Sequence, residues 1–84
     1  MVKTDNIRLT VLTPEKTLFE GFVSKVELPG EKGRFVVLQN HAPIISSLVA
    51  GSVAYVSENH NDSVAVKAGF ARVNNNEVVV CAEV

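Results

Sequence analysis

Eighty-four residues, 46% of them hydrophobic and 20% charged, make one small globular domain well outside the disordered class. A chain of this size buries only about 60–65% of its unfolded surface, so its core is small and apolar surface is left for a partner to cover. Eight basic against nine acidic residues give a net charge of −1 with no run of either sign, which excludes the electrostatic footprint of a nucleic-acid or anionic-lipid binder.

Met1 to Asn6 carries no apolar h-region, and no apolar stretch approaches the ~18 residues of a membrane span, so the chain is expected to be soluble and unprocessed. Alternation then begins: Ile7, Leu9 and Val11 share one face, and Arg8, Thr10 and Leu12 the other, as in a half-buried strand. Pro14, with fixed φ and no N–H, breaks the pattern in a turn. A short strand from Thr17 to Glu20 is interrupted at Gly21, and Phe22, Val23, Val26 and Leu28 carry the next one up to Pro29. Pro29-Gly30-Glu31-Lys32-Gly33 is the clearest reversal in the chain.

Phe35 to Leu38 form a continuous apolar strand, Gln39 to Pro43 turn the chain, and Ile44, Ile45, Leu48 and Val49 follow. After Gly51, Val53, Tyr55 and Val56 extend a strand, and the polar stretch Ser57 to Ser63 reads as a loop. Val64 to Val66 and then Phe70 and Val73 give two more strands. Asn74-Asn75-Asn76 closes a hairpin before Val78, Val79, Val80 and Cys81, because asparagine tolerates left-handed backbone. Roughly nine or ten short strands with turn signals about every 8 to 12 residues predict an all-β sandwich or flattened barrel.

Chemistry is sparse. His41, His60 and Cys81 fall on separate elements, too scattered for metal ligands. There is no nucleophile elbow, and Ser46 and Ser47 near His41 lack any orienting third group. Gly30-Glu31-Lys32-Gly33 lacks the spacing and the helix of a phosphate loop and is a hairpin turn. Asn61-Asp62-Ser63 matches a glycosylation tripeptide by chance in a chain read as having no secretory signal. A lone Cys81 among valines reads as a small buried hydrophobe in a reducing compartment. The scattered carboxylates are expected on solvated faces, and no catalytic residue, metal or cofactor is expected.

The stretch His41-Ala42-Pro43-Ile44-Ile45-Ser46 stands apart. Pro43 confines Ala42 to extended backbone and fixes the shape of the loop, which leads directly into two large β-branched residues. Two readings are open on physics alone. In the more economical one, His41 satisfies a turn carbonyl and both isoleucines enter the core; in the other, the corner is rigid, protruding and apolar, and docks a partner.

The order Gly21-x-Val23, Leu28-Pro29-Gly30-x-x-Gly33, Leu38-x-x-His41-Ala42-Pro43-Ile44-Ile45-Ser46 and Gly51, continuing through Gly69-Phe70-x-x-Val73 and Val80-Cys81-Ala82-Glu83, resembles the amino-terminal domain of the epsilon subunit of F-type ATP synthases. The resemblance spans nearly the whole chain. It implies a ten-stranded β-sandwich of two sheets, a non-catalytic rotor subunit in the central stalk of a proton- or sodium-translocating enzyme. Its implied partners are the gamma subunit and the c-ring, and its implied place is the cytoplasmic face of the bacterial plasma membrane, held there through the complex. By position, Thr13, His41, Ala42, Pro43 and Ser46 are expected to face gamma, and Glu31, Lys32, Gly33 and Arg34 the c-ring. Family members commonly have Pro-Gly where Gln39-Asn40 stand here, and often Gly in place of Val36. They usually continue into two carboxy-terminal helices that inhibit ATP hydrolysis. Because this sequence ends at Val84, the expectation is a single domain over residues 1–84 without that hairpin or its inhibition. A free-standing module binding a peptide at a sheet edge and a small β enzyme are the competing readings.

Overall fold

The computed structural model describes residues 5–58 and 60–84. The reading of the amino terminus as free of a leader rests largely on Met1 to Thr4, outside the described residues, as is Asn59 in the stretch read as a loop. Nine strands follow one another without a helix among the described residues: β1 (Ile7–Leu12), β2 (Thr17–Val23), β3 (Lys25–Gly30), β4 (Gly33–Val37), β5 (Ile44–Leu48), β6 (Gly51–Ser57), β7 (His60–Val66), β8 (Ala68–Asn74) and β9 (Glu77–Glu83).

They form one hydrogen-bonded sheet in the order β2-β1-β9-β8-β5-β3-β6-β7, with β4 on the far side of β3. All pairings are antiparallel except β1 with β9. The sheet folds over at a single pairing, Gly30 with Leu48, so that β2-β1-β9-β8-β5 lies across from β4-β3-β6-β7. At the other side, Ser24 N–H donates to Val56 O (2.8 Å) and the Ser57 hydroxyl to Phe22 O (3.1 Å), tying β2 to β6. The shortest dimension, 18 Å, suits two layers packed about 10 Å apart with side chains on both outer faces.

Alternation builds the core. Ile7, Leu9 and Val11 of β1, Val78 and Val80 of β9, and Ala71 and Val73 of β8 point inward from one half. Val26 and Leu28 of β3, Val37 of β4, and Val53 and Tyr55 of β6 meet them from the other. Phe19 stacks obliquely on Tyr55, ring centroids 4.3 Å apart, and helps close the barrel at the β2 edge. Fully burying each aliphatic side chain contributes roughly 1.5–3 kcal/mol, so this single cluster is what holds the layers together.

The all-β sandwich expectation is met, with nine strands in place of ten. Between β4 and β5, Asn40 takes φ 65° and Pro43 lacks an N–H, so Leu38 to Pro43 builds no ladder. Two boundaries also move. Gly21 sits inside β2, paired with Leu9, and the break comes at Ser24; a side chain at Gly21 would press on the Phe19 ring at 3.2 Å. The polar stretch read as a loop is instead the β6–β7 hairpin, where Ser57 pairs with His60 and Glu58 takes φ 51°. Its polarity reflects an exposed strand edge and not missing structure. Pro29 and Gly30 belong to β3 and Gly33 to β4, so the reversal narrows to Glu31-Lys32.

Candidate docking surface

Pro43 leads into β5, which pairs with β8 along its whole length: Ile44 with Val73, Ile45 with Arg72, Ser46 with Ala71, Ser47 with Phe70 and Leu48 with Gly69. Period two turns Leu48 inward and Ile45 outward, and Ile45 is 75% exposed. Ile44 is 37% exposed, so the economical reading, with both isoleucines in the core, does not hold. Phe70, 53% exposed, lies across β8 from buried Ala71 and Val73 and is paired with Cys81, which in turn is paired with Leu12 of β1.

An apolar stripe therefore crosses three strands on the outer face, Phe70, Cys81 and Leu12 in register, while on β5 Ser47 stands opposite Phe70 and Ile45 opposite Arg72. Cys81 is half-buried on this stripe and not in the core, because Val80 and Ala82 take the inward positions of β9. The stripe ends in a shallow groove where Leu12, Thr13 and Pro14 face Gly69, Phe70 and Ala82. Thr13 is held rigidly there. Its N–H donates to Lys16 O at 2.8 Å and its hydroxyl oxygen accepts from Lys16 N at 3.1 Å and Glu15 N at 3.3 Å.

The turn before β5 is equally defined. His41 N–H donates to Leu38 O at 3.2 Å, closing a turn whose third residue, Asn40, has the positive φ that such turns reserve for Gly or Asn. His41 Nδ1 lies 2.7 Å from Ala42 O, so the ring is spent on a backbone carbonyl with Nδ1 as the donor. Ala42 and Pro43 are exposed beside it.

The turn Glu31-Lys32-Gly33-Arg34 lies next to β5, not apart from it. Glu31 N–H donates to Ser47 O at 2.9 Å, and the turn and β5 line one open groove that includes Ile44, Ile45 and Ser46. Arg34 is steered by Glu27 at 3.1 Å and by Ser52 O at 2.9 Å. The structure thus brings Ser46 together with Glu31 to Arg34, places His41 to Pro43 at the opposite end of β5, and sets Thr13 at the far end of the apolar stripe. Leu12 lies, as its alternation with Val11 predicts, on the outer face, whereas Phe70 and Cys81 were missed as surface residues. Their signal was available in the period-two pattern, since Ala71 and Val73 fix the inward face of β8 and leave Phe70 outside.

Nothing in this surface is arranged for bond-making. Among the described residues no polar or charged side chain other than Tyr55 is buried, and no three His, Cys, Asp or Glu residues come together as metal ligands. The perturbed group is Tyr55, in the core: burial pushes its hydroxyl above the ordinary value, and Asp62, its partner across the β6–β7 ladder, adds to the rise.

Residues 6–84 match the family described as the ATP synthase delta/epsilon chain, beta-sandwich domain. The ATP synthase epsilon chain of Campylobacter curvus is 41% identical over 80 residues, covering 94% of this chain and 62% of the relative. That of Carboxydothermus hydrogenoformans is 40% identical over 78 residues, covering 93% and 58%. The chain therefore spans less than two thirds of the length of these curated relatives. In fold it resembles a chain of the Euglena gracilis mitochondrial ATP synthase OSCP/F1/c-ring structure, with a TM-score of 0.86 at 22% identity over 93% of this chain and 51% of that one. It also resembles a chain of the Tetrahymena thermophila mitochondrial ATP synthase central stalk/c-ring structure, with a TM-score of 0.76 at 16% identity over 99% and 67%.

Proposed function

The chain belongs to the delta/epsilon β-sandwich family of ATP synthases, and from that premise we propose that it is a non-catalytic central-stalk subunit of the epsilon kind, coupling the gamma subunit to the c-ring of a proton- or sodium-translocating F-type enzyme. In this reading gamma is engaged by Thr13, His41, Ala42, Pro43 and Ser46, and the c-ring by Glu31, Lys32, Gly33 and Arg34. The subunit works peripherally, on the cytoplasmic face of a bacterial plasma membrane. The observation that carries the reading is the exposed corner at Pro43 to Ile45, entered through a proline-fixed turn, on a domain with no reactive cluster among the described residues.

Torque transmission asks for stiffness and for two firm contacts. A curled sheet with one dry core resists shear because sliding one layer over the other would break the interdigitated packing of both inner faces. The apolar stripe supplies area for one contact by removing side chains from water. The polar turn at Glu31 to Arg34, braced by Glu27 and Ser52, suits a polar neighbour.

Co-purification with separately expressed gamma tests the assignment. Ile45→Asp places a charge where apolar area would be buried, and Pro43→Gly frees the loop; each is expected to reduce recovery of the complex while the urea midpoint of the isolated domain hardly moves. Wild-type recovery by both variants would refute the docking assignment.

A further inference from the structure

The turn that presents His41 to Pro43 is held from outside by a second turn. Asn40 N–H donates to the side-chain Oδ1 of Asn76 at 2.6 Å, and Asn76 Nδ2 donates back to Asn40 Oδ1 at 3.3 Å. The two residues are 36 positions apart, one between β4 and β5, the other in the β8–β9 turn. Both have left-handed backbones, φ 65° at Asn40 and 59° at Asn76, a conformation disfavoured for any residue with a Cβ but least so for asparagine. The carbonyl of Asn76 also accepts from Arg8 N–H at 2.9 Å, which anchors it to the start of β1.

We propose that Asn76 is a positioning residue for the docking corner: its side-chain amide clasps Asn40 and sets the shape in which His41, Ala42 and Pro43 meet the partner. The inference rests on the docking reading above. Without the clasp, the Leu38–His41 turn keeps one long backbone hydrogen bond of its own, at 3.2 Å, and an unfavourable φ at Asn40 with nothing to hold it. A loop ordered before it binds loses less conformational freedom on docking than one ordered by the partner, so the clasp favours association without touching the partner. The shorter bond, to Oδ1, does most of the holding, because a 2.6 Å separation is near the short end of N–H···O geometry and 3.3 Å is beyond its usual range.

The chemistry of the clasp predicts a graded series. Asn76→Ala removes both side-chain bonds. Asn76→Asp keeps the acceptor for Asn40 N–H and loses only the weaker donor. Amide hydrogen exchange at Asn40 and His41, followed by NMR, reads the clasp directly. Affinity for gamma reads its consequence, and the urea midpoint reads general stability. For Asn76→Ala, exchange at Asn40 is expected to accelerate and affinity to fall about fivefold, the effect of one net hydrogen bond; Asn76→Asp should bind within about twofold of wild type. Unchanged exchange at Asn40 in Asn76→Ala overturns the clasp. So does equal loss of affinity in the Ala and Asp variants, which would point to a contact through the Nδ2 donor. Wild-type affinity in Asn76→Ala while Ile45→Asp loses binding overturns this inference alone. If Asn76→Ala and Ile45→Asp both bind like wild type, the docking reading and the positioning role fall together.

Discussion

Gly69 pairs with Ala82 of β9 at φ 154°, and a Cβ placed there would lie 2.2 Å from Cys81 O and 3.0 Å from Ala82 Cα. Those atoms are backbone of a paired central strand, so Gly69→Ala can be accommodated only by parting β8 from β9. Gly33 offers the matched control: its φ is 126°, again outside the range of side-chain-bearing residues, but nothing lies within 4 Å of its missing Cβ. Gly33→Ala therefore carries the backbone penalty alone, about 1–3 kcal/mol, whereas Gly69→Ala adds a steric displacement of similar size, about 1–3 kcal/mol more. For 84 residues at roughly 0.05–0.15 kcal/mol each, total stability is about 4–13 kcal/mol, so Gly69→Ala removes a large share of it. With an m-value of about 1–2 kcal/mol per molar urea, its midpoint should fall about 0.5–3 M below that of Gly33→Ala. Equilibrium urea unfolding, followed by circular dichroism, decides the matter. Midpoints for the two variants within about 0.5 M of each other would show that β8 and β9 relax freely around the new methyl, and the close-approach argument would be wrong.

Two further outcomes follow from the core. Leu9 is fully buried between neighbouring strands, so Leu9→Ala is expected to destabilise by about 2–5 kcal/mol in the same urea assay. Tyr55, the single tyrosine, has a folded-state pKa raised above 10.0 by burial and then by Asp62. Its unfolded form ionises first, so its contribution to stability is complete below the unfolded pKa and is lost as pH rises through the folded one. Alkaline thermal melts of wild type should therefore fall more steeply than those of Tyr55→Phe, with tyrosinate absorbance marking the titration; parallel curves would refute the assignment.

Strand existence was readable wherever one face was buried, because β1 and β9 alternate cleanly and inward valines share one parity. The reading failed where polarity and strand coincide: His60 to Ser63 are all exposed, and nothing local distinguishes an edge strand from a loop. Gly21 misled for a different reason. Its lack of a side chain answers a tertiary neighbour, the Phe19 ring, and not a turn. At the surface, the Pro43 corner was visible as composition, but whether Ile44 and Ile45 turned inward depended on the register of β5 against β8, which no local pattern carries. The clasp between Asn40 and Asn76 was invisible for the same reason: two asparagines 36 residues apart say nothing until topology sets their turns side by side.

Two open strand edges, one at β7 and one along β5 where the sheet folds over, are finished in opposite ways, and the contrast bears on the proposed role. β7 is an outer edge, and it exposes His60, Asn61, Asp62 and Ser63, polar groups that discourage another strand from adding. β5 pairs with β8 on one side, while on the other it meets β3 only at Leu48, leaving Ile44 to Ser46 open toward the groove shared with Glu31 and Arg34. There the residues are two isoleucines and a serine, with no charge on the strand to repel a partner. An open, apolar edge is a liability for a free domain, since it invites unplanned pairing. A permanent neighbour removes that liability by covering the same groups. The asymmetry therefore fits a subunit that stays bound along β5 and is solvent-facing along β7, and it predicts that Ile45→Lys makes the isolated domain more resistant to aggregation. Light scattering on concentrated samples checks this: equal aggregation of wild type and variant would mean that the β5 edge is already protected without a partner.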